Sequence, residues 1–268
     1  MEKIVFVLPS LKTGGGNRVV IELANQLIIK GINVDIIYPN NSSDINTFKV
    51  SEKINFIKIG KNSNSKIGKL KNLITTLLYL SKNYKKEIII FTDPIMSLFI
   101  PIVRNNKLYR FIQADDYRIF DDLLVLKNKF FLVIYKALTK MSYLYKVKYL
   151  FNSKYTYNKF IELIKKDVEY KLVHPAINHQ VFYNQNIRKN NETNICIVAR
   201  KHPWKGFIDF IKPFHEGKIH GIDNVFVISH DDLSDFNLSN ITLIKPKSDE
   251  EIAHYMNISH IFVSTSWW

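Results

Sequence analysis

Apolar residues fall into two kinds of pattern that alternate along the whole chain. The first is a short run, rich in Ile, Val and Phe, with little polar interruption. Such runs are typical of strands in a parallel sheet covered by helices on both faces. In the second, apolar positions recur every three or four residues, which is the spacing of one face of a helix. The alternation predicts an α/β fold whose ligands bind at the carboxyl ends of the strands.

The two patterns predict ten strands and seven helices. The strands are expected at residues 4–8, 34–38, 54–59, 87–92, 109–113, 149–152, 195–199, 225–229, 241–244 and 260–264. The helices are expected at residues 18–30, 66–86, 94–103, 121–146, 154–165, 206–213 and 249–257. A polar stretch at 184–194 separates two groups of these elements, so we expect two Rossmann-like, doubly wound lobes. We assign residues 1–178 to the first lobe and residues 179–268 to part of a second.

The composition is that of an ordinary globular protein with an uneven distribution of charge. Hydrophobic residues make up 46% of the chain and charged residues 23%, which is typical of folded proteins. The formal net charge is +14, and residues 1–175 carry 29 Lys and Arg against 14 Asp and Glu. The pattern contains no secretory signal and no membrane-spanning run. A single cysteine, Cys196, indicates a reducing compartment, so a cytoplasmic protein is expected.

Three consecutive glycines, Gly14, Gly15 and Gly16, stand between the first predicted strand and the first predicted helix. Glycines let the backbone approach a ligand closely, and a helix N-terminus offers free N–H groups to an anion. The turn therefore suits a phosphate, and a purely structural turn is the alternative. The spacing matches neither Gly-x-Gly-x-x-Gly nor the Walker pattern, so the sequence disfavours a nicotinamide cofactor and a P-loop.

Two cations follow the first strand of the second lobe. Arg200 ends the apolar run and Lys205 precedes the next predicted helix. Cations five positions apart on one loop suit a diphosphate. A solvated surface is the alternative for such a pair.

A polar cluster follows the strand predicted at 109–113. Gln113 and Tyr117 could orient sugar hydroxyls, and Asp115 or Asp116 could accept a proton. A helix-capping loop is the alternative. The histidines lack the spacing of metal ligands, so we expect no metal and no cofactor.

The helix predicted at 66–86 combines an apolar stripe with lysines and contains no acid. The stripe consists of Leu70, Leu73, Ile74, Leu77 and Leu78. The lysines are Lys66, Lys69, Lys71 and Lys82. Most helices of this kind pack on their own sheet, but a basic amphipathic helix also binds anionic membranes. The chain has no nucleic-acid recognition motif and few arginines, so we expect no nucleic-acid partner.

Taken in order, these motifs resemble the GT-B glycosyltransferases of family 4. The matching residues are Gly14–Arg18, Glu22–Ala24, Val173–Asn178, Phe182, Val198–Arg200, Lys205, Gly206 and Val263–Ser266. The resemblance covers the whole chain. It implies an α/β protein with two lobes facing a cleft, which moves a sugar from a nucleotide-sugar donor to a glycan or lipid-linked acceptor. It further implies a retaining, metal-independent reaction in surface polysaccharide biosynthesis, such as that of capsule or lipopolysaccharide.

The resemblance also implies roles for individual residues. Gly14, Gly15 and Gly16 lie by the donor phosphates, and Arg200 and Lys205 neutralise the leaving diphosphate. Arg18, Gln113 and Tyr117 are the residues expected on the acceptor side. Together with the lysines of 66–86, these roles predict a protein on the inner face of the plasma membrane.

The chain also departs from the family pattern. Asn17 stands where many members have Glu, and Ala176 where many have Gly. Relatives continue past the final Ser-rich motif with two glutamates that bind the donor, so we expect the second lobe to be incomplete. The alternative hypothesis is a truncated, inactive relative that binds lipid or a partner enzyme.

Overall fold

The strands of the computed structural model form two separate parallel sheets. The structure describes residues 3–12, 14–41, 49–118, 121, 128–187 and 191–266. The chain divides into a first unit, Met1–Ala176, and a second unit, Ile177–Trp268. This division lies two residues before the boundary predicted from the sequence. Each unit contains its own sheet, and the fold is of the α/β class that the sequence predicts.

The first unit holds a seven-stranded sheet. Its strands are β1 (Lys3–Val7), β2 (Asn33–Pro39), β3 (Asn55–Ile59), β4 (Ile88–Phe91), β5 (Leu108–Ile112), β6 (Lys148–Phe151) and β7 (Tyr170–Leu172). They lie in the order β3-β2-β1-β4-β5-β6-β7, and every neighbouring pair is parallel. The chain builds outward from β1 to β3 and then crosses back to β4 on the other side of β1. This reversal creates a crevice beside the carboxyl end of β1, where sheets of this type bind ligands.

Five helices of the first unit fall within the described residues. They are α1 (Gly15–Ile29), α2 (Lys66–Asn83), α3 (Pro94–Ser97), α4 (Lys129–Ser142) and α5 (Lys154–Ile164). The helix predicted at 94–103 is instead α3 followed by a 3-10 turn at Ile100–Ile102. Pro101 lies in that turn and has no N–H to continue an α-helix. The helix predicted at 121–146 is observed as α4, and residues 122–127 lie outside the described residues.

Alternate residues of the central strands pack into two apolar clusters, one on each face of the sheet. Phe6 contacts the cluster that includes Val20 and Ile21 of α1. Its neighbour Val5 lies in the opposite cluster, which includes Leu77 and Leu80 of α2. Because neighbouring residues of a strand point to opposite faces, α1 and α2 cover different sides of the sheet. Both sides of β1 are therefore apolar, which explains its uninterrupted hydrophobic run.

The second unit repeats the first four positions of this strand order on a smaller scale. Its strands are β8 (Asn194–Val198), β9 (Asn224–Ile228), β10 (Thr242–Ile244) and β11 (Ile261–Val263), in the parallel order β10-β9-β8-β11. Its helices are α6 (Phe207–His215) and α7 (Asp249–Ile258), with a 3-10 turn at Pro203–Lys205. The Ser248 hydroxyl accepts a hydrogen bond from the Glu251 N–H at the start of α7. That bond is the helix-start signature predicted at this position.

One buried carboxylate connects three elements of the first unit. Asp35 of β2 is almost completely buried and accepts hydrogen bonds from Lys3, Asn55 and Tyr84 at 3.0, 3.2 and 2.6 Å. Burial and the bond to Asp35 both raise the pKa of Tyr84. Several donors offset the cost of burying this polar group, so the cluster joins β2 to three other elements: β1, β3 and the end of α2.

We predict that Asp35→Ala lowers the free energy of unfolding of the first unit by about 3 kcal/mol, because it leaves a lysine and a buried tyrosine hydroxyl without their acceptor. Far-UV circular dichroism during urea unfolding measures the loss. Glu52→Ala, at an exposed residue, is the control and should change the stability by less than about 0.5 kcal/mol. Equal effects of the two substitutions would contradict the assignment.

Candidate functional site

The glycine turn of the first unit leads directly from the β1 strand end into α1. Gly14 has an extended backbone (φ 179°) and α1 begins at Gly15. Apart from the adjacent residues and the backbone of α1, no atom of the described residues lies within 4 Å of the position of a Cβ at Gly14 or Gly15. No side chain caps the helix and its first turn contains no acid. The space above the turn is therefore open, and the N–H groups of the first turn are suited to an anion.

Asn17 shapes this turn from within the helix. Its side-chain amide donates to the carbonyl oxygens of Ser10 and Lys12 at 2.9 and 2.7 Å. Both bonds need an N–H donor, so a glutamate at this position could not make them. From the sequence, Asn17 is only a departure from the family pattern. In the structure it holds the loop between β1 and α1.

Gln113 lies against the glycine turn. Its amide is 3.7 to 3.8 Å from the position of a Cβ at Gly16. The Asn152 side chain, which follows β6, donates to the Gln113 carbonyl oxygen at 2.7 Å. The structure thus brings together the loops after β1, β5 and β6, and it places two of the predicted site segments, Gly14–Gly16 and Gln113, side by side. Asn152 was not among the predicted site residues, although it is the last residue of the strand predicted at 149–152.

The two candidate proton acceptors have different surroundings. Asp116 is only 5% exposed and forms a 2.9 Å ion pair with Arg110, which is 1% exposed. Burial raises the pKa of Asp116 to about 6, and Arg110 opposes this shift. Asp115 instead pairs with the partly exposed Arg118 at 2.7 Å. Asp116 has its partner inside the protein and shapes the loop, whereas Asp115 lies nearer to solvent.

Arg18 and Tyr117, the remaining residues predicted for the acceptor side, are both half-buried. Lys136 of α4 lies over the Tyr117 ring at 4.9 Å from its centroid. The ring therefore already contacts a cation from within the first unit.

In the second unit, the loop after β8 carries both predicted cations. The Arg200 Nε donates to Asp231 at 2.8 Å, and the same carboxylate accepts the Lys201 N–H at 2.8 Å. Asp231 follows β9 and holds this loop beside the neighbouring strand end. Sequence reasoning did not identify Asp231, although it lies three residues after the end of β9 and Arg200 lies two residues after the end of β8.

Lys205 forms no ion pair among the residues that the structure describes. Burial lowers its pKa, and repulsion from Arg200 lowers it further. Two cations close enough to repel each other are stabilised by an anion that binds both. The loop after β8 is therefore suited to a ligand with more than one negative charge.

The loop after β11 packs directly on this turn. The Thr265 hydroxyl donates to the Lys205 carbonyl oxygen at 2.6 Å. Gly206 has φ 62°, and a Cβ there would collide with the Thr265 carbonyl oxygen. Only glycine satisfies both constraints. The loops after β8, β9 and β11 thus form one assembly at the carboxyl edge of the second sheet.

The segment predicted to contact a membrane is exposed in part. Lys66, Lys69, Lys71 and Lys82 are all exposed. The predicted single stripe is wrong: Leu77 is buried, whereas Leu70, Ile74 and Leu78 are exposed. Two polar residues, Asn72 and Thr76, take buried positions because their side chains are hydrogen-bonded. The Asn72 amide donates to the carbonyl oxygens of residues 40 and 61, and the Thr76 hydroxyl donates to the carbonyl oxygen of residue 72.

A groove of about 830 Å³ lies away from these loops, at the end of α2. It is lined by Leu78, Ser81, Lys82, Lys85, Pro101, Ile102, Arg104, Asn105 and Asn106. These residues precede β4 and β5, so the groove lies at the amino edge of the sheet, opposite the strand-end loops. Its lining contains three cations and no acid.

The described ranges were compared with the requirements of a metal site and of a membrane-spanning helix. Within those ranges, no group of three or more His, Cys, Asp or Glu side chains is arranged to hold a metal ion. In the same part of the chain, no helix is both long and apolar enough to cross a membrane.

Comparison with known proteins identifies relatives by structure. No family model matches the chain, and no curated protein sequence is similar to it. Several solved structures of glycosyltransferases are similar over almost the whole chain, and they include the following three. Sucrose-phosphate synthase from Thermosynechococcus elongatus is similar with a TM-score of 0.78 at 14% sequence identity. The match covers 100% of this chain and 76% of the synthase chain. WaaG, a glycosyltransferase involved in lipopolysaccharide biosynthesis, has a TM-score of 0.70 at 13% identity, over 98% of this chain and 75% of its own.

The third similar structure is an S. aureus TarM mutant in complex with Fondaparinux, alpha-GlcNAc-glycerol and UDP. Its TM-score is 0.67 at 12% identity, over 99% of this chain and 81% of its own. At these identities the likeness shows the fold. The predicted fold class is confirmed: the chain has the α/β fold of the GT-B glycosyltransferases, with a parallel sheet in each unit.

We predict that Gly206→Ala lowers the free energy of unfolding of the second unit by about 3 kcal/mol, from left-handed strain of about 1–2 kcal/mol plus the collision with Thr265. Gly217→Ala is a matched control, because Gly217 has φ 65° but open space around it, and it should cost only about 1 kcal/mol. Tryptophan fluorescence reports on this unit, since all three tryptophans lie within residues 177–268. Equal losses would show that Thr265 does not constrain the turn.

A second prediction concerns the buried ion pair. Arg110→Met should lower the free energy of unfolding of the first unit by about 3–5 kcal/mol at pH 7, because it leaves Asp116 as an unpaired buried charge. The double variant Arg110→Met, Asp116→Leu should recover most of that loss.

The loss should also depend on pH. The pKa of Asp116 lies at about 6 in the folded protein, above the ordinary value of 3.8, and removal of Arg110 raises it further. When a carboxyl has a higher pKa in the folded than in the unfolded protein, stability falls as the pH rises above the unfolded-state pKa. The fall levels off once the pH exceeds the folded-state pKa. The difference between variant and natural chain should therefore be smaller at pH 5 than at pH 8. Urea unfolding at both pH values tests this, and a loss that is the same at both would contradict it.

Proposed function

We propose that the protein transfers a sugar from a nucleotide-sugar donor to a glycan or lipid-linked acceptor. The observation that carries the proposal is the loop assembly of Arg200, Lys205 and Thr265 at the carboxyl edge of the second sheet. It holds one cation beside Asp231 and leaves Lys205 without an acid partner among the described residues. The similarity to WaaG and to a TarM mutant in complex with UDP supports this assignment.

Arg200 and Lys205 would act on the leaving group. In the transfer, the bond between the anomeric carbon and the diphosphate oxygen breaks, and the electron pair leaves with the diphosphate. Charge develops on that oxygen in the transition state, and fixed cations in a partly buried loop stabilise it more than they stabilise the substrate. We propose that this electrostatic effect makes the reaction independent of a metal ion.

The first unit would hold the donor phosphates at the glycine turn and supply the acceptor side. An anion at Gly14–Gly16 would receive the N–H groups of the first turn of α1. Gln113, with Arg18 and Tyr117, would orient acceptor hydroxyls. The new bond joins an acceptor oxygen to the anomeric carbon, with retention of configuration. Asp115 is the better candidate for the hydroxyl proton, because Asp116 is buried against Arg110.

A second candidate function is a binding module for an anionic membrane surface. The exposed Leu70, Ile74 and Leu78 on a lysine-rich helix favour it. The two functions are compatible, because polysaccharide synthesis on a lipid-linked acceptor takes place at the inner face of the plasma membrane. Turnover of a nucleotide-sugar separates an enzyme from a module that only binds.

We predict that a nucleoside diphosphate binds the second unit and that Lys205→Ala weakens binding about 10- to 100-fold, since a charge-assisted hydrogen bond contributes about 1.5–3 kcal/mol. Titration calorimetry with UDP, GDP and ADP measures the affinities of the full chain. Lys201→Ala is the matched control, because Lys201 is exposed and pairs with Asp235, and it should bind almost unchanged. Absence of binding to all three nucleotides by the folded protein, or equal affinities of the two variants, would remove the assignment.

A further inference from the structure

Helix α4 is turned with its apolar face away from the core of the first unit. Its buried positions are Tyr135, Thr139 and Ser142, all of which carry a hydroxyl. Most of its exposed positions are apolar, and they include Phe130, Phe131, Val133, Ile134, Leu138 and Met141. Phe130 is 68% exposed and Val133 66%. A helix on the surface of a globular protein normally has the opposite arrangement.

The hydroxyl face is held in place by specific hydrogen bonds. The Tyr135 hydroxyl donates to the Asp116 carbonyl oxygen at 2.9 Å. The Ser142 hydroxyl accepts from the Arg110 guanidinium and donates to the Thr139 carbonyl oxygen. A rotation that buried the phenylalanines would break these bonds and expose the Arg110–Asp116 pair. The outward direction of the apolar face is therefore a fixed feature of the fold.

The charges on α4 are suited to an anionic partner. The helix carries Lys129, Lys136 and Lys140 and contains no Asp or Glu. Lys136 pairs with Asp121, whereas Lys129 and Lys140 are exposed. Phenylalanines and long aliphatic side chains bordered by lysines are typical of helices that lie in a membrane interface.

A second basic, apolar surface lies on the same side of the sheet. The segment that follows α4 joins the apolar cluster of α2, and the Tyr145 hydroxyl donates to the Leu98 carbonyl oxygen at 3.0 Å. The α2 helix adds the exposed Leu70, Ile74 and Leu78, and the groove at its end adds three cations. This side of the first unit thus presents apolar side chains and positive charge on two helices.

We infer that α4 inserts its apolar face into the surface of an anionic lipid bilayer. With 14 residues at about 1.5 Å each, the helix is about 21 Å long, which suits a position parallel to the membrane plane. Phe130, Val133 and Met141 enter the acyl boundary, and Lys129 and Lys140 lie at the level of the lipid phosphates. The inference deepens the proposed membrane-binding function and does not depend on sugar transfer.

A labelling experiment tests insertion directly. The only native cysteine, Cys196, is buried and burial raises its thiol pKa to about 11, so it reacts slowly with thiol reagents. A fluorophore on Met141→Cys should shift to shorter wavelengths on phosphatidylglycerol vesicles and be quenched by lipid-attached nitroxides. The same fluorophore on Ile29→Cys is the control, because Ile29 is 75% exposed on α1, on the opposite side of the sheet. If the protein binds the vesicles but the fluorophore at position 141 shows neither the emission shift nor the quenching, the inference is overturned.

A vesicle-flotation experiment tests the contribution of the side chains. The variant Phe130→Gln, Val133→Gln should bind phosphatidylglycerol vesicles at least tenfold more weakly than the natural chain. The control variant Ile29→Gln, Ile208→Gln changes two exposed apolar residues elsewhere and should bind within twofold of the natural chain. Binding should weaken as salt rises, because salt screens the lysines. Equal recovery of all three proteins, or equal recovery on neutral and anionic vesicles, overturns the inference.

Two further measurements distinguish membrane insertion from dimerisation and from a loss of folding. Sedimentation that shows a dimer of the natural chain and a monomer of the Phe130→Gln, Val133→Gln variant would assign the face to a second copy and overturn the inference. Unchanged circular dichroism shows that the variant is folded. Nucleoside diphosphate binding should be the same in the natural chain and in this variant, so a failure of the proposed enzymatic function would leave the vesicle result standing.

Discussion

The buried pair of Arg110 and Asp116 is the interaction on which the first unit depends most. It joins β5, the loop after β5 and α4, because Arg110 contacts the Asp116 carboxylate and the Ser142 hydroxyl. The Arg110 guanidinium also lies over the Tyr143 ring at 4.5 Å. A guanidinium and a carboxylate that are both buried must stay together, since neither can be left unpaired in the interior. The orientation of α4 follows from this constraint, because Ser142 bonds Arg110 and Tyr135 bonds the Asp116 carbonyl oxygen.

Much of the fold could be predicted from the sequence, because parallel strands covered on both faces consist of uninterrupted apolar residues. The runs around Phe6, Ile90 and Ile197 are of this kind. The carboxyl ends of the strands predicted at 4–8, 109–113 and 195–199 also marked the glycine turn, Gln113 and Arg200 as candidate residues at the ligand-binding edge. Strand β7 was missed because it has three residues, two of them exposed, and so carries no apolar run.

The rest depends on contacts that the pattern along the chain does not contain. Ser142 takes a buried position because the Arg110 guanidinium, about 30 residues earlier in the sequence, donates a hydrogen bond to its hydroxyl. The same reason explains Asn72, whose amide donates to three oxygens of the chain before α2. Asp231 could not be identified because only the pairing of β8 with β9 brings it to Arg200. In each case a hydrogen bond between distant residues outweighs the preference of a helix or loop for its local pattern.

The strand order has a consequence for how the chain folds as it is synthesised. The central strand β1 pairs on one side with β2 and on the other with β4, which ends at Phe91. Until β4 has been made, one edge of this central strand has no partner, and an unpaired edge can associate with other chains. The second sheet repeats this arrangement, because β8 receives β11 only at Ile261–Val263. In both sheets the first strand therefore waits for the fourth before both of its edges are paired, and a nascent chain needs protection at both stages.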